Sequence, residues 1–291
     1  MLNMPEPGDG RRLRRQRRLN IGAIKATIVF VVGLITAIVG GLTGLGTQVA
    51  FAPMLSWMLG FTLEKAQATA MRFAAIAAAA AMVGALVAGA TPANYLAQGV
   101  VLFIGAVIGA IIAAPISRRL QTISGRRFTQ TTGIVLMMAV IIRCGRLGTF
   151  DLPYVAQWNS LSLLGLIGIA VGAVTQTLTM PSGALLIPAL YVFGAFPPGQ
   201  AVSLSLLVVA LASVLPAITY SSRGLADDRY LLPTTLAAAL GGALGGRLLP
   251  ADTNLIRHKV LIMAAAAIAM FFCARELARL AISANEPTDQ R

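Results

Sequence analysis

Residues 152–222 are 71 consecutive positions without an Asp, Glu, Lys or Arg. One helical crossing of a bilayer needs only about 20 apolar residues, so this stretch crosses a membrane more than once. Gly, Pro and Thr interrupt it twice, at Thr179-Met180-Pro181-Ser182-Gly183 and at Phe196-Pro197-Pro198-Gly199. Hydrocarbon cannot satisfy a broken backbone, so such interruptions have to face protein or water. They are where function is expected.

Charged residues make up 11% of the chain and apolar ones 57%, against about 25% charged in a soluble domain. That composition belongs to an all-α polytopic membrane protein. The alternating segments of roughly ten residues that build a β-barrel are not visible. The other charge-free intervals set the number of spans. Residues 26–63 would form a single helix of about 57 Å, too long for one crossing, and the Gly40-Gly41-Leu42-Thr43-Gly44-Leu45-Gly46 run divides them. Residues 73–117 hold two more spans, 152–222 hold three, and 128–142, 231–246 and 260–274 hold one each. The expectation is ten transmembrane segments. Whether the short segments 49–59 and 184–193 cross fully or re-enter is left open by length alone.

The net charge of +13 is unevenly placed. Six arginines crowd into Arg11-Arg12-Leu13-Arg14-Arg15-Gln16-Arg17-Arg18, directly before the first apolar segment. Beside a span, such a cluster holds its end in the cytoplasm and meets anionic lipid, at about 1 kcal/mol per Arg. Nucleic acid is therefore not the expected partner. A secretory signal would show a small-residue cleavage site, and none follows. With ten crossings the cytoplasmic side carries 17 Lys and Arg and the other side five; with eight crossings the split is 14 to eight. Ten crossings with a cytoplasmic N-terminus fit better. Cys144 and Cys273 lie in or beside apolar stretches and read as small buried hydrophobes.

Sliding the chain against itself by 135 residues lays Pro53 on Pro188, Leu55 on Leu190, Ala66 on Ala201 and Gly89 on Gly224. Five spans per copy is an odd number, so the second copy enters from the opposite face. The expected organisation is a basic cytoplasmic segment at 1–20, inverted five-helix repeats at 21–147 and 148–282, and a tail at 283–291. Many secondary transporters share this plan, with substrate near the midplane between discontinuous helices. A duplicated scaffold without transport is the competing class.

The first break places Gly44, Gly46, Thr47 and Gln48 ahead of segment 49–59; the second places Thr179, Ser182 and Gly183 ahead of 184–193. Glycine lets backbone approach a ligand, and a half-helix start offers unpaired N–H groups and the positive end of its dipole to an anion. Thr69, Ser203 and Ser205 add hydroxyls near the starts of the helices that follow. In many transmembrane helices, however, such glycines serve packing and such hydroxyls bond backbone. Arg72 stands inside a span, at a cost of about 2.5–3.5 kcal/mol. With no evident carboxylate mate in neighbouring spans, it either snorkels or offers charge to an anionic ligand.

All ten acidic residues, and the single histidine His258, fall in termini, loops or span edges. That argues against a midplane proton relay, a carboxylate cation site, a membrane metalloenzyme and a Ser-His hydrolase. No catalytic residue, metal or cofactor is expected. Backbone dipoles, hydroxyls and one Arg make an anion site.

At these residues the chain resembles the TauE/SafE sulfite exporters. The family pattern is a G-I-G-G-G break, a Pro, a Gly-containing turn and a helix opening A-V-G-T-S-L. Here the copies read Gly44-Leu45-Gly46-Thr47-Gln48, Pro53, Gly60 and Ala66-Gln67-Ala68-Thr69, then Thr179 to Gly183, Pro188, Gly194 and Ala201-Val202-Ser203-Leu204-Ser205. The resemblance covers nearly everything after residue 25. Thr47-Gln48 and Pro181-Ser182 replace family glycines, and Arg72 replaces a small or apolar residue. The resemblance implies a bacterial inner-membrane secondary transporter exporting sulfite or small organosulfonates by alternating access, with an anion channel as a further alternative. The expected substrate-binding set is Gly44, Gly46, Thr47, Gln48, Thr69, Arg72, Thr179, Ser182, Gly183, Ser203 and Ser205, with Pro53 and Pro188 shaping the half-helices. Its expected partners are a small anion and the bilayer, and self-association into a homo-oligomer is compatible with this reading.

Overall fold

The computed structural model describes residues 9–89, 94–119, 161–178, 182–193, 198–222, 224 and 228–249, with isolated helical positions between 127 and 142 and between 260 and 281. Cys144, Cys273, His258 and Thr179 lie outside the described residues. So do the side chains of Pro188 and of the arginine cluster at 11–18. Eight helices run through the continuous stretches: α1 (Asp9–Thr43), α2 (Gln48–Leu59), α3 (Leu63–Val87), α4 (Asn94–Arg119), α5 (Leu161–Leu178), α6 (Ser182–Phe193), α7 (Pro198–Ser222) and α8 (Leu231–Arg247). A 3-10 turn, Asp228–Tyr230, leads into α8. Among the described residues no strand occurs. Gly22–Thr43, Lys65–Val87 and Ala97–Pro115 are each long and apolar enough to cross a membrane.

The faces of α8 show which solvent the bundle is built for. Leu232, Leu236, Leu240, Leu244 and Leu248 recur every fourth residue and point outward. Its buried face is Thr234, Ala237, Ala238, Gly241, Gly242, Gly245 and Gly246. In water that arrangement would be inside out. In lipid, large side chains gain nothing by leaving the hydrocarbon, and small ones let backbones meet. Ile24, Ile28, Val31 and Ile35 make the same outward stripe on α1.

Two backbone-on-backbone seams result. A β-carbon on Gly246 would collide with the Ala81 carbonyl, and one on Gly242 with the Ala77 carbonyl; at Gly241 it would lie 2.6 Å from the Leu34 oxygen. Thus α8 fits against both α1 and α3. Between α4 and α5, Gly105, Gly109, Gly168 and Gly172 press on the carbonyls of Gly165, Ile169, Leu102 and Ala106.

Residue order along these seams fixes helix direction. Numbers rise together from Leu34/Gly241 to Ile38/Gly245, from Ala77/Gly242 to Ala81/Gly246, and from Leu102/Gly168 to Ala106/Gly172. Hence α1, α3 and α8 run parallel to one another, as do α4 and α5. Residues 44–62, including α2, must then carry the chain back through the thickness of the bundle. The order reverses between α3 and α7. Arg72 meets Ser221, while Ala77 and Ala78 border the same void as Leu206 and Val209. Those two helices are antiparallel.

The 135-residue offset recurs in the helix bounds. Both α3 and α7 have 25 residues and begin and end in register at that offset. Each is followed by a left-handed glycine, Gly89 at φ 71° and Gly224 at φ 67°, whose N–H donates to Leu86 O and Ser221 O respectively at 3.0 Å. α2 and α6 each have 12 residues, about 18 Å of helix against a hydrocarbon core of about 30 Å.

Two bundles emerge. Phe51 and Phe73 stack at 4.0 Å between centroids within the core that joins α1, α2, α3 and α8. Leu102, Leu164, Leu186, Leu190 and Leu204 centre the core that joins α4, α5, α6 and α7. Each half of the sequence therefore gives its last continuously described helix, α4 or α8, to the other bundle.

Candidate functional site

The first break starts where α1 ends. Thr43 Oγ1 donates to Val39 O at 2.8 Å, and the Gly44 N–H donates to Gly40 O at 2.8 Å. The chain then turns through Gly44 at φ 66° and Gly46 at φ 90°, conformations that side chains resist. Thr47 caps α2 without a side-chain hydrogen bond. Its methyl rests against Gly40, where any β-carbon would collide. Thr47 is 6% exposed. Among the described residues neither its Oγ1 nor Gln48 Oε1, both buried, finds a hydrogen-bond partner.

The second break meets the first. α6 opens with buried Ser182 and Gly183, and Gly183 lies so close to Gly44 and Leu45 that a β-carbon there would collide with the Gly44 carbonyl. From α7, fully buried Ser205 donates its hydroxyl to that same carbonyl at 2.7 Å, joining residues 161 apart. Gly44, Gly46, Thr47, Gln48, Ser182, Gly183 and Ser205 are thus gathered at one junction. A void of about 10 Å³ beside Thr47, bordered by Gly40, Gly46, Ala78 and Val209, has room for about one water.

Two other expected site hydroxyls bond their own helices. Thr69 Oγ1 donates to Lys65 O and Ser203 Oγ to Gly199 O, each at 2.9 Å and four residues back on its own helix. Pro53 sits inside α2, where it removes one ladder donor; Pro188 falls within α6.

Arg72 does have a carboxylate mate, supplied by a turn and not by a neighbouring span. Its Nη1 donates to Asp228 Oδ1 at 2.8 Å, while Nε and Nη2 donate to Ser221 Oγ at 3.2 and 2.8 Å. Asp228 lies in the turn before α8, 156 residues away, at the start of a helix that packs along α3. No local sequence pattern could have revealed that pair. The side chains are 22% and 77% exposed, so the pair contributes under about 1 kcal/mol. Arg72 precedes Ala77 and Ala78 of the void by about 8 Å along α3.

The chemistry of the junction is neutral donors beside a positive helix end. α2 starts at Gln48 with its first-turn N–H groups outside the helical ladder, next to the orphaned hydroxyl. Among the described residues no three His, Cys, Asp or Glu side chains gather as metal ligands would.

The profile of the family described as sulfite exporter TauE/SafE matches residues 10–144 and, a second time, residues 123–271. The chain belongs to that family. The protein is thus a transmembrane transporter by family. The Bacillus subtilis (strain 168) protein named probable membrane transporter protein YunE is 24% identical over 240 residues, covering 75% of this chain and 86% of that protein. No solved structure matches. The two family matches fall on the two halves in which the breaks lie.

Proposed function

We propose that this protein is a secondary transporter carrying a small sulfur oxyanion, sulfite or an organosulfonate, across the bacterial inner membrane by alternating access. The N-terminus lies in the cytoplasm. The observation that carries this reading is the junction where the two breaks touch, with Thr47 Oγ1 and Gln48 Oε1 buried and unpartnered. A buried polar atom left unsatisfied costs about 1–3 kcal/mol. Two adjacent ones at a half-helix start are accounted for by a ligand that visits. Amide oxygen and nitrogen are placed by convention, so the reverse rotamer of Gln48 offers its NH₂ to an anion. Thr47, Gln48 and Ser182 contact the substrate, and Gly44, Gly46 and Gly183 let it approach backbone. Arg72 acts from a distance.

An inverted pair of five-helix repeats with ten crossings underlies the mechanism. The antiparallel α3 and α7, their matched bounds and the twofold family match support the inversion. The parallel run of α1 and α3 supports a full crossing by residues 44–62. Vesicles holding the purified protein should accumulate labelled sulfite or a labelled organosulfonate. Gln48→Leu and Thr47→Val should each lose that flux while still inserting and folding. Wild-type flux in both variants would remove the junction from the transport path, and current far above carrier turnover would make the protein a channel.

A further inference from the structure

We infer that Arg72, Ser221 and Asp228 form a gate on the seam between the two bundles, α1–α3 with α8 on one side and α4–α7 on the other. The inference rests on the transport reading above. Seams within each bundle are glycine against carbonyl, where sliding by one residue would drive β-carbons into backbone. Away from the junction, where α3 lies along α7, the seam between bundles is of another kind. There Ala78, Ala81 and Ala85 of α3 meet Val202, Leu206 and Val209 of α7, a side-chain surface free to part. It is pinned at the junction by Ser205 on the Gly44 carbonyl and at the last turn of α7 by Arg72 on Ser221.

The three gate residues divide between the bundles. Arg72 is on α3 and Asp228 leads into α8, so both belong to the first bundle; Ser221, on the last turn of α7, belongs to the second. Asp228 therefore holds the guanidinium in position when Ser221 leaves, and parting the seam at this end breaks only the bonds to one hydroxyl. Asp228 and Ser221 are positioning residues, and the path they close leads to the void beside Thr47.

The test uses full-length protein in vesicles with Cys144 and Cys273 replaced by serine. Val209→Cys reports the seam between bundles and Leu102→Cys the seam inside one; both native side chains are buried. A membrane-impermeant maleimide is added from the side of Arg72. Ser221→Ala should raise the labelling rate of Val209→Cys about tenfold, as opening populations follow the loss of one charged hydrogen bond. Asp228→Asn, at an exposed position, should give a smaller rise, and Ser221→Thr should restore protection. Leu102→Cys should stay unlabelled throughout. No rise at position 209, an equal rise at 102, or failure of Ser221→Thr to protect would overturn the gate. Labelling is read without substrate, so these outcomes bear on the gate alone, whereas a parent protein that moves no anion overturns the transport reading.

Discussion

The glycine seams and the break junction are both made of backbone in close contact, and they differ in what they leave unsatisfied. Along α8, Gly242 and Gly246 sit on the carbonyls of Ala77 and Ala81, inside intact helices whose backbone groups are bonded within each ladder. At the junction, Gly44 and Gly183 approach as closely, but around them a carbonyl depends on a hydroxyl 161 residues away and two side-chain atoms have no partner. Close packing by itself therefore marks architecture. Close packing that strands polar atoms marks the candidate site.

That contrast can be broken at several points. The largest stability effect belongs to Gly246→Leu, since the new side chain would have to displace the Ala81 backbone. A loss above about 3 kcal/mol is expected, read as collapse of the melting transition in detergent and of folded yield. Ser205→Ala should cost less, about 1–2 kcal/mol, by removing the donor to the Gly44 carbonyl, and should lower flux. Survival of full flux with that variant would show that the junction need not be held together.

Smaller effects sharpen the comparison. Gly89→Ala and Gly224→Ala occupy matching left-handed positions with open space around them, so each should lose about 1 kcal/mol from backbone strain alone. A difference beyond twofold between them would mean that the two helix ends are not equivalent. Thr47→Val is expected to gain up to about 1 kcal/mol by removing an orphaned hydroxyl while abolishing transport. If Thr47→Val instead destabilises the protein and leaves transport intact, the hydroxyl belongs to the architecture.

Much of this was legible in the sequence where the signal was local. The glycines at 44 and 46 announced an interrupted helix, whereas Pro53 and Pro188 fall inside continuous short helices. Their spacing announced the offset at which the bounds of α3 and α7 coincide. The half-helices begin slightly earlier than the apolar runs implied, at Gln48 and Ser182, because a helix start needs no apolar residue. What the sequence could not reveal was pairing across distance. Asp228 looked like a loop residue, and Ser205 like one more hydroxyl at a helix start. The exchange of α4 and α8 between bundles depends on which glycine stripe finds which carbonyl, and every such stripe reads alike in one dimension.

The exchange of last helices has a consequence for how the molecule is made. While the ribosome is still releasing the first half, α1 and α3 lack the helix that fits between them, and the Gly44 oxygen has no hydroxyl to meet. Both arrive only with α7 and α8, well after the first half has been released. The junction therefore forms only after α7 has been made, and a chain stopped before residue 205 would insert its early spans yet lack the hydroxyl that ties the two breaks together.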